Sequence, residues 1–169
     1  MDRYPTDKNT DHSYGPLYEE LFAPIRTTAV RILELGVFGG GSLRVWRDYF
    51  PQAQIFGIDA NPECLFEEDR IKTFLANQTD EKALAFLATE FGPFDVIIDD
   101  GSHWPADQIA SLMYLWPYLN RPGLYVIEDL MSISLIPLFQ NFPNSIVHNR
   151  TSLKGRHDDI VFVARKCVL

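Results

Sequence analysis

Cysteine is scarce in this chain. Cys64 and Cys167 are too few and too far apart to build a disulfide framework or a thiolate zinc site, and they suit a reducing compartment. Basic charge is also in short supply: 15 Lys and Arg face 23 Asp and Glu, a formal net charge of -8. That balance repels phosphate backbones and anionic lipid surfaces, so nucleic acid and membrane are not expected partners. No apolar run approaches the roughly 20 residues that span a bilayer. The opening, Met1-Asp2-Arg3-Tyr4-Pro5-Thr6-Asp7-Lys8, lacks the apolar stretch of a signal peptide. The expectation is a soluble, cytoplasmic protein. Repeats, low-complexity tracts and linkers are missing too, so residues 1–169 read as one domain, with residues 1–26 as a lead-in segment or lid.

The chain is rich in apolar residues, 46% of the total, enough to bury a core. Short β-type runs alternate with longer helical patterns, the mark of a parallel sheet covered by helices. Strands are expected at Arg31–Leu35, Gln54–Ile58, Ile71–Leu75, Phe94–Ile98 and Leu124–Ile127, with two more near Ile146 and over Ile160–Ala164. Helices are expected around Leu17–Phe22, Ser42–Tyr49, Asp80–Glu90 and Pro105–Leu119. The segment through Ser13 reads as polar loop, and Lys154-Gly155-Arg156-His157 as a turn. In an open sheet of this kind ligands sit beyond the carboxyl ends of the strands, and here the first five strands all end in polar or glycine residues.

The first strand runs into Glu34-Leu35-Gly36-Val37-Phe38-Gly39-Gly40-Gly41-Ser42. Glycines at a strand-to-helix turn let a ligand approach the backbone closely, which makes Gly36, Gly40 and Ser42 candidate cofactor contacts. A dinucleotide fingerprint needs a second glycine facing the pyrophosphate, and Phe38 stands nearest that position. Glu34 suits a cationic or amine-bearing ligand better than a diphosphate, which favours S-adenosylmethionine over a nicotinamide dinucleotide. Asp59, closing the second strand, is placed to accept hydrogen bonds from a ribose diol, although an Asx turn before Asn61-Pro62 is the plainer alternative. Asn77 and Gln78, after the third strand, either present amides to an adenine edge or serve as turn formers.

The tips of the fourth and fifth strands supply Asp99, Asp100, His103, Glu128 and Asp129. An oxygen-rich cluster suits a hard divalent ion such as Mg2+. His103 is the general-base candidate, able to take a proton from a hydroxyl that the metal polarises. Helix-capping aspartates and a turn histidine are the structural alternative. Of the other histidines, His12 is of interest because an N-terminal segment folded over the site would bring it there.

The stretches Glu34–Leu43, Gly57-Ile58-Asp59, Ile98–His103 and Val126–Leu130, with Thr6-Asp7-Lys8, His12 and Tyr14, resemble the metal-dependent sugar O-methyltransferases of macrolide and tetracenomycin biosynthesis. The resemblance implies a three-layer, Rossmann-like class I methyltransferase fold with a mostly parallel seven-stranded sheet, S-adenosylmethionine as methyl donor and Mg2+ as activator. Carried over by motif, Asp100, Glu128 and Asp129 are the metal ligands and His103 the base. Asp99 then lies behind the ligands or faces the cofactor. The implied acceptor is a small molecule, a sugar hydroxyl of a glycoside, natural product or polysaccharide precursor. The resemblance leaves a homo-oligomer open. Phe38 departs from the glycine that many methyltransferases carry. Competing readings are a catechol-type O-methyltransferase with Trp104 and Tyr14 lining an aromatic pocket, a non-catalytic S-adenosylmethionine-binding assembly module, and a nicotinamide-dependent oxidoreductase.

Overall fold

A computed structural model describes residues 3–167. The chain begins with α1 (Asp7–Thr10) and α2 (Tyr14–Phe22), then alternates strand and helix: β1 (Arg31–Leu35), α3 (Gly41–Tyr49), β2 (Gln54–Asp59), β3 (Glu67–Glu68), β4 (Ile71–Leu75), α4 (Glu81–Phe91), β5 (Phe94–Asp99) and α5 (Pro105–Leu115). It finishes with β6 (Leu119–Ile127), α6 (Ile136–Gln140), β7 (Ser145–Asn149), α7 (Thr151–Lys154) and β8 (Ile160–Lys166). No helix among the described residues is long and apolar enough to cross a membrane.

The strands form one sheet in the order β3-β4-β2-β1-β5-β6-β8-β7. Strands β4, β2, β1, β5 and β6 are parallel, while β3, β7 and β8 pair antiparallel at the two sides. The sheet has eight strands against the seven expected. The extra one, β3, is two residues long, too short to leave a period-two signature in the sequence.

Alternation along the strands divides the core into two layers. On one face Ile32, Ile55, Val96, Ile98 and Val126 pack with Tyr14, Leu17, Leu43 and Trp46 from α2 and α3. On the other, Leu33, Leu35, Phe56, Ile97 and Tyr125 pack with Leu84 and Leu87 of α4 and Leu112 and Leu115 of α5. Both faces of β1 are therefore covered, which is why Ile32-Leu33-Glu34-Leu35 is continuously buried.

Several boundaries differ from expectation, three of them by more than a residue or two. Helix α5 stops at Leu115, because Pro117 has no N–H to donate to the helical ladder; a 3-10 turn at Trp116–Tyr118 follows. Strand β6 accordingly starts at Leu119, pairing with Phe94 before a register shift at Arg121-Pro122-Gly123. The opening segment is not simple loop: it folds into α1, and Lys8 and His12 are buried although polar.

Strand β1 lies where the order reverses, with β2 on one side and β5 on the other. A crevice at such a switch point opens beyond the carboxyl ends of the strands. Gly36 sits there at φ +93°, and a Cβ on it would collide with the Asp100 carbonyl. A side chain at this position would force β1 and β5 apart.

Candidate functional site

Two adjoining cavities share Gly36, Asp59 and Gly101. The smaller, of about 260 Å3, is lined by Ala60, Ala76, Asn77, Gln78 and Ser102. The larger, of about 870 Å3, runs between the N-terminal segment (Thr6, Asp7, Thr10, Asp11) and the face bearing Phe38, Asp100 and His103.

The turn after β1 is held by Asp59. Its Oδ2 accepts the Val37 and Phe38 N–H groups at 2.9 and 3.1 Å, and its Oδ1 accepts that of Asn61 at 2.8 Å. These backbone donors outweigh the upward push of burial, so the Asp59 carboxyl lies below its ordinary range. Phe38 and Gly40 both take positive φ, and Gly40 opens α3 in the left-handed conformation. The Phe38 side chain is 89% exposed at the mouth of the groove. Asn77 Oδ1 accepts the N–H and hydroxyl of Thr79, so this residue does form a turn while lining the cavity. The Gln78 amide accepts the Ser102 N–H at 2.7 Å and so pins the loop after β5.

Glu34 turns inward, while Ser42 is buried and still lines the larger cavity. The cation that meets Glu34 is the Lys8 ammonium at 3.3 Å, and the Trp46 indole N–H donates to Glu34 at 2.6 Å. Both carboxylate oxygens are shut away from the groove, and burial pushes this carboxyl up to about 6. Asp99 is likewise fully buried behind the loop, bonded by the Ser111 hydroxyl and the Gly101 N–H, and is pushed up to about 6 by burial. Of the two places open to it, Asp99 takes the one behind the strand tips.

Asp100, His103 and Asp129 converge at the rim, with one ligand atom from each lying within 4.8 Å of the others. His103 Nε2 is 3.3 Å from Asp100 Oδ1 and 3.7 Å from Asp129 Oδ2. The hydrogen bond to Asp100 raises the imidazole pKa, burial opposes this, and the charge of Asp129 adds to the rise. His103 and Asp129 both have positive φ, a conformation of higher energy that persists where surrounding contacts enforce it. Here the enforcement is visible: Ser102 Oγ receives the Trp104 N–H and donates to Asp107, and the Gln108 amide donates to the Glu128 carbonyl. Two carboxylates and an imidazole form a donor set that fits a divalent ion, and Glu128 is not among the converging atoms.

Glu128 is placed deeper. Lys8 Nζ lies 2.8 Å from both of its oxygens, and the Tyr18 hydroxyl donates to Oε1. Burial and the neighbouring Asp100 and Asp129 push its carboxyl up, against the pull of Lys8. Asp129 accepts from the Tyr14 hydroxyl and faces His12 Nδ1 at 3.3 Å, while the same nitrogen meets Asp159 at 3.3 Å. Tyr14 is therefore a buried brace for Asp129, not an aromatic wall for an acceptor; Trp104 is 68% exposed beside His103.

Sequence reasoning gave no role to Lys8, Tyr18, Gln108, Ser111 and Asp159. Two of these left a signal: Gln108 and Ser111 interrupt the stripe that continues to Leu112 and Leu115 on α5, and both are fully buried. Tyr14 and Tyr18 lie four apart on α2, so their hydroxyls reach neighbouring carboxylates. Lys8 was visible only within the Thr6-Asp7-Lys8 stretch of the resemblance, and Asp159 left no signal; both are paired across more than ninety positions.

No family model matches the chain. It is 42% identical, over 94% of its length and 43% of the relative's, to the 8-demethyl-8-(2-methoxy-alpha-L-rhamnosyl)-tetracenomycin-C 3'-O-methyltransferase of Streptomyces olivaceus. It is also 42% identical to the mycinamicin VI 2''-O-methyltransferase of Micromonospora griseorubida, over 70% of this chain and 32% of that one. The chain is a homologue of the sugar O-methyltransferases of tetracenomycin and macrolide pathways. Its fold is that of the MycE methyltransferase of the mycinamycin pathway, solved with Mg and SAH: the TM-score is 0.80 at 32% identity, covering 98% of this chain and 53% of that one. The chain spans less than half the length of the curated relatives it matches.

Proposed function

We propose that the protein is an S-adenosylmethionine-dependent, divalent-metal-assisted O-methyltransferase acting on a sugar hydroxyl of a small natural-product glycoside or polysaccharide precursor. The observation that carries this reading is the convergence of Asp100, His103 and Asp129 on the rim of a groove floored by Gly36 and Asp59. The relatives named above act on rhamnosyl and macrolide glycosides, and the MycE structures include one with Mg, SAH and mycinamycin VI.

In this reading Asp59 receives the ribose diol, the turn from Gly36 to Gly40 lets the methyl donor approach the backbone, and Asn77 and Gln78 border the adenine end. S-adenosylmethionine would supply an electrophilic methyl group, and Mg2+ held by Asp100, Glu128 and Asp129 would polarise the acceptor hydroxyl. His103 Nε2 takes the hydroxyl proton as the acceptor oxygen bonds to the methyl carbon and the carbon–sulfur bond breaks. Asp100 and Asp129 steady the imidazolium that results. The groove would bring acceptor and donor together, and proximity would supply much of the rate.

Calorimetric titration with S-adenosylhomocysteine and with NAD, each with and without Mg2+, tests the assignment. Binding of S-adenosylhomocysteine is expected, with methyl transfer to a rhamnoside acceptor that depends on Mg2+. NAD binding without S-adenosylhomocysteine binding would overturn it.

A further inference from the structure

Lys8 is the most deeply buried cation among the described residues, with 1% of its side chain exposed. Its ammonium reaches three strands at once: Glu34 on β1 at 3.3 Å, Asp100 just past β5 at 2.6 Å, and Glu128 just past β6 at 2.8 Å. A charge so enclosed persists only when paired. Three carboxylates this near one another would repel and splay without it.

The same residue fastens a wall of the groove. Lys8 and His12, four apart, point into the protein, while Asp7, Thr10 and Asp11 line the large cavity. Pro5 lies so close to α3 that a Cβ on Gly41 would strike its carbonyl oxygen.

We propose that Lys8 is a positioning residue of the metal centre: its ammonium holds Asp100 and Glu128 convergent, so that the N-terminal segment completes the ligand geometry that the strand tips begin. The inference rests on the reading of Asp100 and Glu128 as metal ligands. It assigns to α1 a part in building the site in addition to covering it.

The test is Mn2+ binding, followed by electron paramagnetic resonance, in the native chain and in Lys8→Met and Lys8→Ala. Both variants are expected to bind Mn2+ about tenfold or more weakly, the usual scale for losing a group that orients a ligand. In Lys8→Ala, n-propylammonium fills the vacated slot and restores binding, whereas in Lys8→Met the slot is occupied and the amine has no effect. Unchanged or tighter Mn2+ binding in Lys8→Met overturns the inference, because the ammonium then only anchors the segment or competes with the ion. If Lys8→Ala does not fold alone, it is refolded in n-propylammonium. Native near-ultraviolet dichroism with native Mn2+ affinity supports the inference; native dichroism with weak affinity, or no recovery, overturns it. A native chain that binds no Mn2+ sinks the metal-centre reading itself, a result distinct from each of these.

Discussion

His103 is held with φ +60° between two carboxylates, so its ring has little freedom to choose another partner. In the proposed reaction it moves one proton and binds neither the nucleoside nor the sugar skeleton. His103→Ala is therefore expected to lower kcat by about 10^2–10^4-fold, the range for removing a general base. S-adenosylhomocysteine affinity, read by calorimetry, should stay close to native. Gly36 is the second residue whose chemistry is fixed by its surroundings. Gly36→Ala sets a methyl group against the Asp100 carbonyl and removes the residue best suited to φ +93°. Denaturant melts should show a loss of about 1–3 kcal/mol, the usual cost of overpacking, and the cofactor groove should bind S-adenosylhomocysteine less well.

At the scale of elements, the parallel strands were legible because each is a short apolar run closed by a polar or glycine residue. Strands β1 and β4 have the expected bounds, and β2 and β5 extend one residue further, to Asp59 and Asp99. Helix α4 was legible through its period; in the structure Asp80 caps it, accepting the Lys82 and Ala83 N–H groups. The N-terminal segment was not. Periodicity reports apolar faces, and α1 is held by a buried ammonium and imidazole whose partners lie on β1, just past β5 and β6, and on the approach to β8. The candidate site was legible as a list of residues at strand ends, and the depth of each was not. Glu34 and Asp99 look equivalent to Asp59 in the sequence, yet the first two are enclosed and the third borders the groove. The edge element β7 carries its own test. Burial lowers the pKa of His148, with Arg150 and Arg165 adding to the effect and Glu20 opposing it. The unfolded chain then binds this proton more readily than the native one, so stability is lost as pH falls below about 6.5. Thermal melts of His148→Gln should show a smaller decline over that interval than native, and parallel curves would refute the assignment.

For the whole molecule, the central connection is that β8 enters the sheet between β6 and β7. It pairs Gly123–Ile127 on one side and Ser145–Asn149 on the other, both antiparallel. Asp159, immediately before it, receives the Ser13 hydroxyl and meets His12, so the segment before α2 and the approach to β8 come together beside Asp129. A fragment ending at Asn144 would leave one edge of β6 unpaired next to Glu128 and Asp129, an invitation to association. Such a fragment is expected to retain helical dichroism but to lose Mn2+ binding and to self-associate, as followed by light scattering. The order of synthesis gives the same arrangement a further meaning. The glycine turn and Asp59 lie within the first sixty residues, whereas Asp159 and β8, which flank Asp129 and pair with β6, are made only after residue 158. A nascent chain thus carries the turn after β1 long before it carries the strand that borders its acidic residues.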